Sequence, residues 1–379
     1  MRRLRCFSFR VIAIATMGAV ISAHGVAPSQ AAGAAAAPVD ASVGKLADRG
    51  IEFLRGSQQA DGSWSPQTGP AVTALAAAGI LHNGRSADDP TVAKALAYVE
   101  KFVQPDGGIY AAGSTHRNYE TCLSIMAMAA ANADGRYDKQ LAGAKQFLKD
   151  LQWDDGEGHD PSSDSYGGFG YGSHKRPDLS NTAFAAEALT TLGAEADEET
   201  MQRLLAFVSK CQNLESEHNQ TKFPALNPDG GFYYTIAAGG SSQAGELPNG
   251  GLRSYGSMTY AGLKSMIYAG VDRDDQRVKA AIDWIGKNYT LDENPGMGPQ
   301  GHFYYLQTFA KALATLGEEK LVDDAGVEHD WRADLVAKLA EMQRDDGSWL
   351  NPADRWLEGD PNLVTGYVLL ALGNCRDAQ

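Results

Sequence analysis

The segments LRGSQQADGSW (54–64) and LAEMQRDDGSW (339–349) are close copies at opposite ends of the chain. Both read Leu-x3-Gln-x3-Gly-x-Trp, and both follow a helical pattern of apolar residues. Weaker copies lie between them, as in VEKFVQPDGGIY (99–110), LKDLQWDD (148–155), VSKCQN (208–213) and IGKNYT (285–290). A motif repeated along a chain indicates a fold assembled from equivalent units.

A Gly-x-aromatic or Gly-x-apolar step completes each copy, after loops of variable length. Six units follow, marked by Gly62, Gly107, Gly167, Gly230, Gly301 and Gly347. Repeats accept insertions in their loops, which explains the unequal spacing.

Each step is followed by a second helical segment that is rich in Ala, Leu and Met and poor in charge. These segments are 71–81, 119–131, 181–193, 258–270, 305–317 and 362–373. The first helices of the units, such as 92–103 and 331–342, are amphipathic. A helix that is apolar all round is enclosed, and an amphipathic helix faces solvent on one side. The sequence therefore predicts an all-α fold, a single (α/α)6 toroid with an inner and an outer ring of helices.

The repeated Gln-x3-Gly-x-Trp element resembles the QW repeat of the terpenoid cyclase and prenyltransferase toroid superfamily. Two longer stretches are similar to those of prenyltransferase and squalene oxidase repeat proteins: YTLDENPGMGPQGHFYYLQTFAKAL (289–313) and DRWLEGDPNL (354–363). This group resembles squalene-hopene cyclase. The resemblance covers about 45–375. It implies that the QW residues brace the helices, and that any catalytic groups lie at one end of a central cavity, where loops lead into the inner helices.

Aromatic residues cluster near the starts of the inner segments. We expect a ligand to contact Tyr119, Phe184, Tyr255, Tyr260, Tyr304, Tyr305 and Tyr367. A desolvated aromatic face stabilises a cation by roughly 1–2 kcal/mol. Such a lining suits an isoprenoid carbocation, but ordinary core packing explains it equally well.

Polar residues near the same segment starts are the candidates for chemistry. They are Glu120, His302, Arg355, Glu358 and Asp360, with Asp178, Asn181 and Asn362 close by. Asp360 precedes a proline, as an N-capping residue does. Arg355 and Glu358 could line the cavity or form a surface ion pair, and a lone histidine is often structural.

The stretch GVDRDDQRV (270–278) contains Asp-x-Asp-Asp, the proton-donating motif of superfamily members that protonate a double bond. Its position argues against that role, because it follows the fourth inner segment and precedes an outer helix. Acidic residues also precede the outer helices at 88–89 and 197–199, as capping and the helix dipole favour. We therefore interpret Asp272, Asp274 and Asp275 as capping residues.

The zinc-dependent branch of the superfamily is also poorly matched. Its Asp-x-Cys pair has only Glu120-x-Cys122 as a counterpart, and His302 lies three units away. No metal or other cofactor is expected. Cys122, Cys211 and Cys375 are too few and too sparse to form a disulfide framework.

The first 40 residues read as a secretory signal and a small-residue linker, with four arginines, an apolar run over 11–23 and an Ala/Ser/Pro-rich stretch. We expect an exported protein whose toroid domain spans 41–379, with no transmembrane segment after signal removal. The formal net charge of −14 argues against nucleic acid as a partner. The long insertions at 153–178 and 213–254 are expected at the rim of the cavity.

These observations favour a toroid that binds an isoprenoid or other apolar ligand, and that could cyclise or transfer it. A polysaccharide lyase-like or carbohydrate-binding toroid is an alternative, as is a non-catalytic interaction domain. The cavity lining separates the three: aromatic and dry for an isoprenoid, wide and rimmed by charges for a polysaccharide, filled for an interaction domain.

Overall fold

The computed structural model describes residues 39–172 and 176–376. Its helices are α1 Val39–Ser57, α2 Ala71–His82, α3 Pro90–Val99, α4 Arg117–Ala130, α5 Asp138–Asp150, α6 Leu179–Thr191, α7 Glu199–Lys210, α8 Phe223–Leu226, α9 Gly256–Tyr268, α10 Gln276–Lys287, α11 His302–Leu316, α12 Trp331–Met342 and α13 Pro361–Asn374. A hairpin of β1 (Leu321–Val322) and β2 (Glu328–His329) is the only paired sheet in the described residues. The all-α prediction is confirmed.

Six helices form a closed inner ring, in which each contacts the next: α2, α4, α6, α9, α11 and α13, with α13 packing back on α2. The helices that precede them in sequence, α1, α3, α5, α7, α10 and α12, pack outside this ring. The inner helices are buried over most of their length because they carry few charges. They begin up to three residues before the segments predicted from sequence.

The QW glutamines join neighbouring units. Gln58 Nε2 donates to the carbonyl of Gly62 in its own loop (3.0 Å) and to the carbonyl of Thr91 in the next outer helix (2.9 Å). Gln152, Gln212 and Gln343 make the equivalent pair of bonds. Gln104 instead donates to the carbonyls of Phe102 and Tyr110. These amides satisfy carbonyls that would otherwise be buried without a donor.

The tryptophans and the inner-helix threonines fix each loop between its two helices. Trp64 Nε1 donates to the Leu54 carbonyl of the preceding helix (2.8 Å), and its backbone N–H donates to Thr73 Oγ1 (3.0 Å). Trp349 makes the same two bonds at the other end of the chain. The motif is therefore a bracing element, as the resemblance implied.

The motif glycines permit close contact with the next outer helix. Gly167 has φ +82°, and a Cβ there would lie 1.8 Å from the carbonyl oxygen of Arg203. Gly62 has φ +94°, with the Lys94 carbonyl 2.3 Å from a Cβ. Only glycine meets both the left-handed backbone and the missing space.

The Asp272–Asp275 stretch joins α9 to α10. It therefore lies at the C-terminal ends of the inner helices, opposite the ends where they begin. Asp275 is the N-cap of α10, and its carboxylate accepts the backbone N–H of Arg277 (2.7 Å). Asp274 is exposed and lies 2.8 Å from Lys279 Nζ. The capping interpretation is confirmed for Asp275, whereas Asp272 accepts the backbone N–H of Asp274 within the loop (2.7 Å) and Asp274 caps no helix.

Two other predictions concern the ends of the chain and the cysteines. The proposed signal segment lies outside the described residues except for its last two positions, where α1 has already begun. None of the helices in the described part is long and apolar enough to cross a membrane. Cys122, Cys211 and Cys375 are buried free thiols.

Candidate functional site

A cavity of about 290 Å³ lies at the N-terminal ends of the inner helices, and all six contribute to it. Its wall comprises Thr68, Ala71, Val72, His116, Tyr119, Tyr171, Ser180, Asn181, Phe184, Tyr234, Gln243, Tyr255, Ser257, Met258, Tyr304, Trp356, Leu357, Glu358, Leu363 and Tyr367. Both long insertions reach it, through Tyr171, Tyr234 and Gln243. Such a convergence of aromatic and few polar groups is typical of a small-molecule site.

Four aromatic side chains, from four inner helices, form a closed layer inside the ring of helices, which we term the aromatic girdle. Its members are Tyr119, Phe184, Tyr304 and Tyr367. The ring centroids of Tyr119 and Phe184 are 5.0 Å apart, and those of Phe184 and Tyr304 are 6.0 Å apart. Tyr304 and Tyr367 are also 6.0 Å apart, and the hydroxyl oxygens of Tyr367 and Tyr119 lie 2.7 Å apart, which completes the circuit.

The girdle presents hydroxyl groups as well as ring faces. Besides the Tyr119–Tyr367 pair, the hydroxyl oxygens of Ser180 and Tyr304 lie 3.0 Å apart. Burial raises the pKa of Tyr119 to about 12 and that of Tyr367 well above its usual value. These phenols are therefore neutral at physiological pH and can both donate and accept.

Two of the seven predicted ligand-contacting aromatics do not line the cavity. Tyr260 and Tyr305 pack against Phe309 on the outer side of α9 and α11, at centroid distances of 5.1 and 6.1 Å. The Tyr305 hydroxyl donates to the Thr290 carbonyl (2.7 Å). Tyr304 and Tyr305 are neighbours in sequence, but successive helical residues point about 100° apart, so only one can face the cavity.

Glu358 is the only carboxylate in the cavity wall described here, and it is 1% exposed. It accepts the backbone N–H of Tyr304 (2.8 Å) and the side-chain amide of Asn351 (2.6 Å). Burial raises the pKa of Glu358, and its hydrogen bonds, which reach the amides of the first turn of α11, oppose that rise. The carboxylate thus caps an inner helix from a distant loop.

Glu120 and Asp360 are predicted site residues that hold backbone segments. Glu120 accepts the N–H of Ala111 (2.7 Å) and the hydroxyl of Ser114, and burial raises its pKa. Asp360 is the N-cap of α13 and accepts the N–H of Asn362 (2.9 Å). Neither belongs to the cavity wall.

His302 begins α11 and is buried outside the cavity wall. Its Nε2 lies 2.9 Å from the Leu291 carbonyl, and burial lowers its pKa. Because a carbonyl only accepts, the proton of the neutral ring is on Nε2. The ring order sets α11 opposite α4, which carries Glu120 and Cys122. Within the described residues, no three His, Cys, Asp or Glu side chains are grouped to hold a metal ion.

Arg355 lies at the rim of the cavity, where the loop before α13 meets the loop before α11 and the second insertion. It donates to Gln300 Oε1 (2.5 Å) and to Gln243 Oε1 (2.6 Å) of the second insertion. The next two residues, Trp356 and Leu357, have φ of +62° and +64° and are 46% and 55% exposed. Left-handed non-glycine residues cost on the order of 1–3 kcal/mol each, and they concentrate at functional sites.

Sequence reasoning missed Trp356, Ser180, Tyr171 and Tyr234 as wall residues. Trp356 could have been found because it lies inside DRWLEGDPNL, a segment already singled out for its charged residues. Tyr171 and Tyr234 could have been found from the expectation that the two long insertions form the rim of the cavity.

Asp178, at the start of α6, is buried beside this wall. It accepts the backbone N–H and the side-chain amide of Asn181, each at 2.9 Å. Burial raises its pKa to about 6, although the amides and a hydrogen bond from Tyr234 favour the charged form. The carboxylate is a cap whose charge is costly in this position.

A buried ion cluster lies one to two turns further along the inner helices. Lys264 Nζ is 2.5 Å from Glu187 Oε2, and Lys311 Nζ is 3.5 Å from Glu187 Oε1. Burial alone would raise the pKa of Glu187, but the two ammonium charges outweigh it and lower the pKa to about 2. The cluster ties α6, α9 and α11 together beneath the girdle.

A larger groove of about 490 Å³ lies between α10, the C-terminal ends of α9 and α11, and the β hairpin. Its lining mixes aliphatic side chains with lysines and carboxylates and has no aromatic ring. The chemistry that distinguishes a ligand site is concentrated in the smaller central cavity.

Comparison with known proteins bears on this arrangement. The sequence profile of the squalene-hopene cyclase C-terminal domain matches residues 65–236. The fold is similar to that of a variant of the type II terpene cyclase MstE from Scytonema, solved with its substrate geranylgeranyl dihydroxybenzoate. The two share 13% identity over 89% of this chain and 98% of that one, with a TM-score of 0.54. Residues 65–236 are thus similar in sequence to the squalene-hopene cyclase C-terminal domain, and the chain has the fold of a type II terpene cyclase.

Other toroids match the fold to the same degree. A protein from Actinoplanes is 17% identical over 88% of this chain and 99% of that one, with a TM-score of 0.52. A possible member of the GH105 family from Salmonella enterica is 12% identical over 88% and 93% of the two chains, with a TM-score of 0.54. No curated protein matches the sequence. At these identities the likeness concerns the fold alone.

Proposed function

We propose that the protein binds an isoprenoid or similarly apolar small molecule in the central cavity. The observation that carries this proposal is the wall itself, with rings from all sides and, among the residues that the structure describes, one carboxylate, that of Glu358. Aromatic faces give an apolar ligand contact area and add attraction for any positive centre. MstE, a toroid of the same fold, was solved with a geranylgeranyl-bearing substrate, which supports the choice of ligand class.

The proposal stops at binding, for a reason of charge. Protonation of a double bond needs a carboxylic acid that is protonated and directs its proton into the cavity. Burial raises the pKa of both Glu358 and Asp178, but both also accept hydrogen bonds from N–H donors, which favour the carboxylate. Their contacts are those of helix caps, and no step of bond formation is assigned to them.

The polysaccharide alternative has support from the fold of the Salmonella enterica toroid. Sugar polymers are held by clefts with many polar groups, whereas the central cavity is small and rich in aromatic rings. Its volume of about 290 Å³ is at the lower end of the range for small-molecule sites, roughly 300–1,000 Å³. The apolar ligand is therefore the better fit.

The test uses native mass spectrometry and thermal unfolding of the purified protein. We expect a lipid of isoprenoid mass to co-purify, or the melting temperature to rise on addition of C10–C20 terpenoids. Val72→Phe should reduce this effect, because the new ring fills the cavity, while the ligand-free protein melts at the same temperature or higher. Empty protein with no thermal shift from any terpenoid would contradict the proposal.

We also propose that the protein is exported, on the basis of the charged, apolar and small-residue pattern of its first 40 residues. N-terminal sequencing of the protein from its extracytoplasmic fraction tests this. We expect a new terminus near Ala23 or Ala31. An intact Met1 in the cytoplasm would contradict it.

A further inference from the structure

We infer that the ligand has a neutral, hydroxyl-bearing head group rather than a diphosphate, and that the Tyr119–Tyr367 and Ser180–Tyr304 hydroxyl pairs recognise it. The ligand class is thus a terpenoid alcohol or phenol. This inference rests on the proposed function of the cavity, and it names what distinguishes one apolar ligand from another there.

The two hydroxyl pairs have donors to spare. Tyr119 Oη and Tyr367 Oη are 2.7 Å apart, so one hydroxyl donates to the other. The accepting hydroxyl keeps its own hydrogen, and each oxygen has two lone pairs. The same count applies to Ser180 Oγ and Tyr304 Oη at 3.0 Å. A ligand hydroxyl can therefore accept from a pair and donate to it, which a hydrocarbon cannot do.

The four hydroxyls stand in one layer of the toroid. They come from α4, α6, α11 and α13, and their side chains all line the cavity. Burial keeps the phenols neutral, since it raises the pKa of Tyr119 to about 12. In this layer the hydroxyl of a head group finds hydrogen-bond partners, whereas a hydrocarbon tail gains none.

The charges around the cavity argue against a diphosphate. No lysine or arginine is among the described wall residues, and the one carboxylate there, Glu358, would repel an anion. The arginines at the rim already have partners. Arg355 donates to two glutamine oxygens, and Arg176 donates to Ser241 Oγ (3.0 Å) with its guanidinium 5.7 Å from the Tyr234 ring. An unpaired phosphate charge in such a site is strongly disfavoured.

Three probes with one carbon skeleton separate head-group effects from tail effects: farnesol, farnesyl diphosphate and farnesene. We expect calorimetric titration to show farnesol binding roughly tenfold more tightly than either of the others, as one or two net hydrogen bonds allow. The double variant Tyr119→Phe/Tyr367→Phe should lower the affinity for farnesol toward that for farnesene, because only the Ser180–Tyr304 pair then remains, and should leave farnesene unchanged.

A matched control is Tyr233→Phe. That hydroxyl is buried and donates to the Lys210 carbonyl (2.6 Å) outside the cavity wall, so its loss should alter none of the three affinities. If the double variant lacks a cooperative melt, Ser180→Ala tests the same prediction on the second pair with a smaller change.

Each remaining outcome decides the matter. Equal binding of farnesol and farnesene would overturn the head-group inference while leaving the apolar-ligand function intact. Tightest binding of the diphosphate, lost in Arg355→Gln, would overturn it in favour of an anion site at the rim. Failure of all three probes to bind would overturn the proposed function as well.

Discussion

The side-chain amide of Gln343 donates to the backbone carbonyl of Leu46, 297 residues earlier in the chain, at 3.1 Å. The same glutamine accepts from Arg49 Nη1 at 2.8 Å. These bonds join the last outer helix, α12, to the first, α1. They are the ring-closing counterpart of the bonds that Gln58, Gln152 and Gln212 make between successive units.

Removal of this link should weaken the whole toroid. Gln343→Ala leaves two carbonyls without their donor, and we expect it to lower the free energy of unfolding by about 1–3 kcal/mol. Urea denaturation measures the change. Gln67→Ala is the control, because Gln67 is exposed, and it should stay within about 0.5 kcal/mol of the parent. Equal effects of the two variants would show that the closing bonds contribute nothing.

The acidic joint before α10 gives a second prediction. Asp275→Ala removes the N-cap acceptor for the Arg277 N–H and should cost about 1 kcal/mol of stability. Asp274→Asn breaks only an exposed pair with Lys279 and should cost less than about 0.5 kcal/mol. Ligand affinity should be unchanged in both. Loss of binding in Asp274→Asn, with normal melting, would restore this stretch as a functional motif.

The buried ion cluster should be sensitive to the loss of one partner. Lys264→Met leaves Glu187 with Lys311 alone at 3.5 Å, and we expect a loss of about 3–5 kcal/mol. Adding Glu187→Leu to this variant should recover much of the loss, since the buried carboxylate is then gone and the remaining charge, on Lys311, is 26% exposed. A double variant as unstable as the single one would contradict this account.

The same cluster sets a pH dependence. The folded-state pKa of Glu187 is lowered to about 2 from an ordinary value of 4.5. Its stabilising contribution is therefore complete above about pH 4.5, falls as the pH drops through the folded pKa, and is gone below it. Unfolding free energies of the parent and Glu187→Gln should converge over this acidic window.

Asp178 should show the opposite sign. Its folded-state pKa is raised to about 6 from 3.8, so the folded protein binds more protons than the unfolded chain between these values. Stability from this group should fall by on the order of 2–3 kcal/mol as the pH rises from 4 to 7. In Asp178→Asn that part of the pH dependence should vanish, as urea denaturation at several pH values would show. An unchanged profile would mean that Asp178 has an ordinary pKa.

The ring of helices could be predicted from the sequence because its causes are local. Gly167 and Gly62 stand where the backbone must be left-handed and close to a neighbour, and Trp64 and Trp349 recur beside them. The spacing of apolar residues, which is also a local property, distinguished the inner helices from the outer ones. The position of Asp275 between two such helices also identified it as a cap.

The site could be predicted only in part. Proximity to inner-helix starts pointed to Tyr119, Phe184 and Tyr304, which line the cavity, but it could not separate Tyr304 from Tyr305. The rotation of α11 about its axis decides that, and packing against α9, α12 and α13 sets the rotation. A one-residue step turns a side chain from the cavity to the core.

The sequence by itself determined the helical repeat and the order of its units, because each depends on neighbours within one or two turns. Only the tertiary structure decided that Tyr119 meets Tyr367 and that Glu358 caps α11, since these pairs lie 248 and 54 residues apart. Closure of the ring brings them together, and no local pattern encodes which residues then face each other across it.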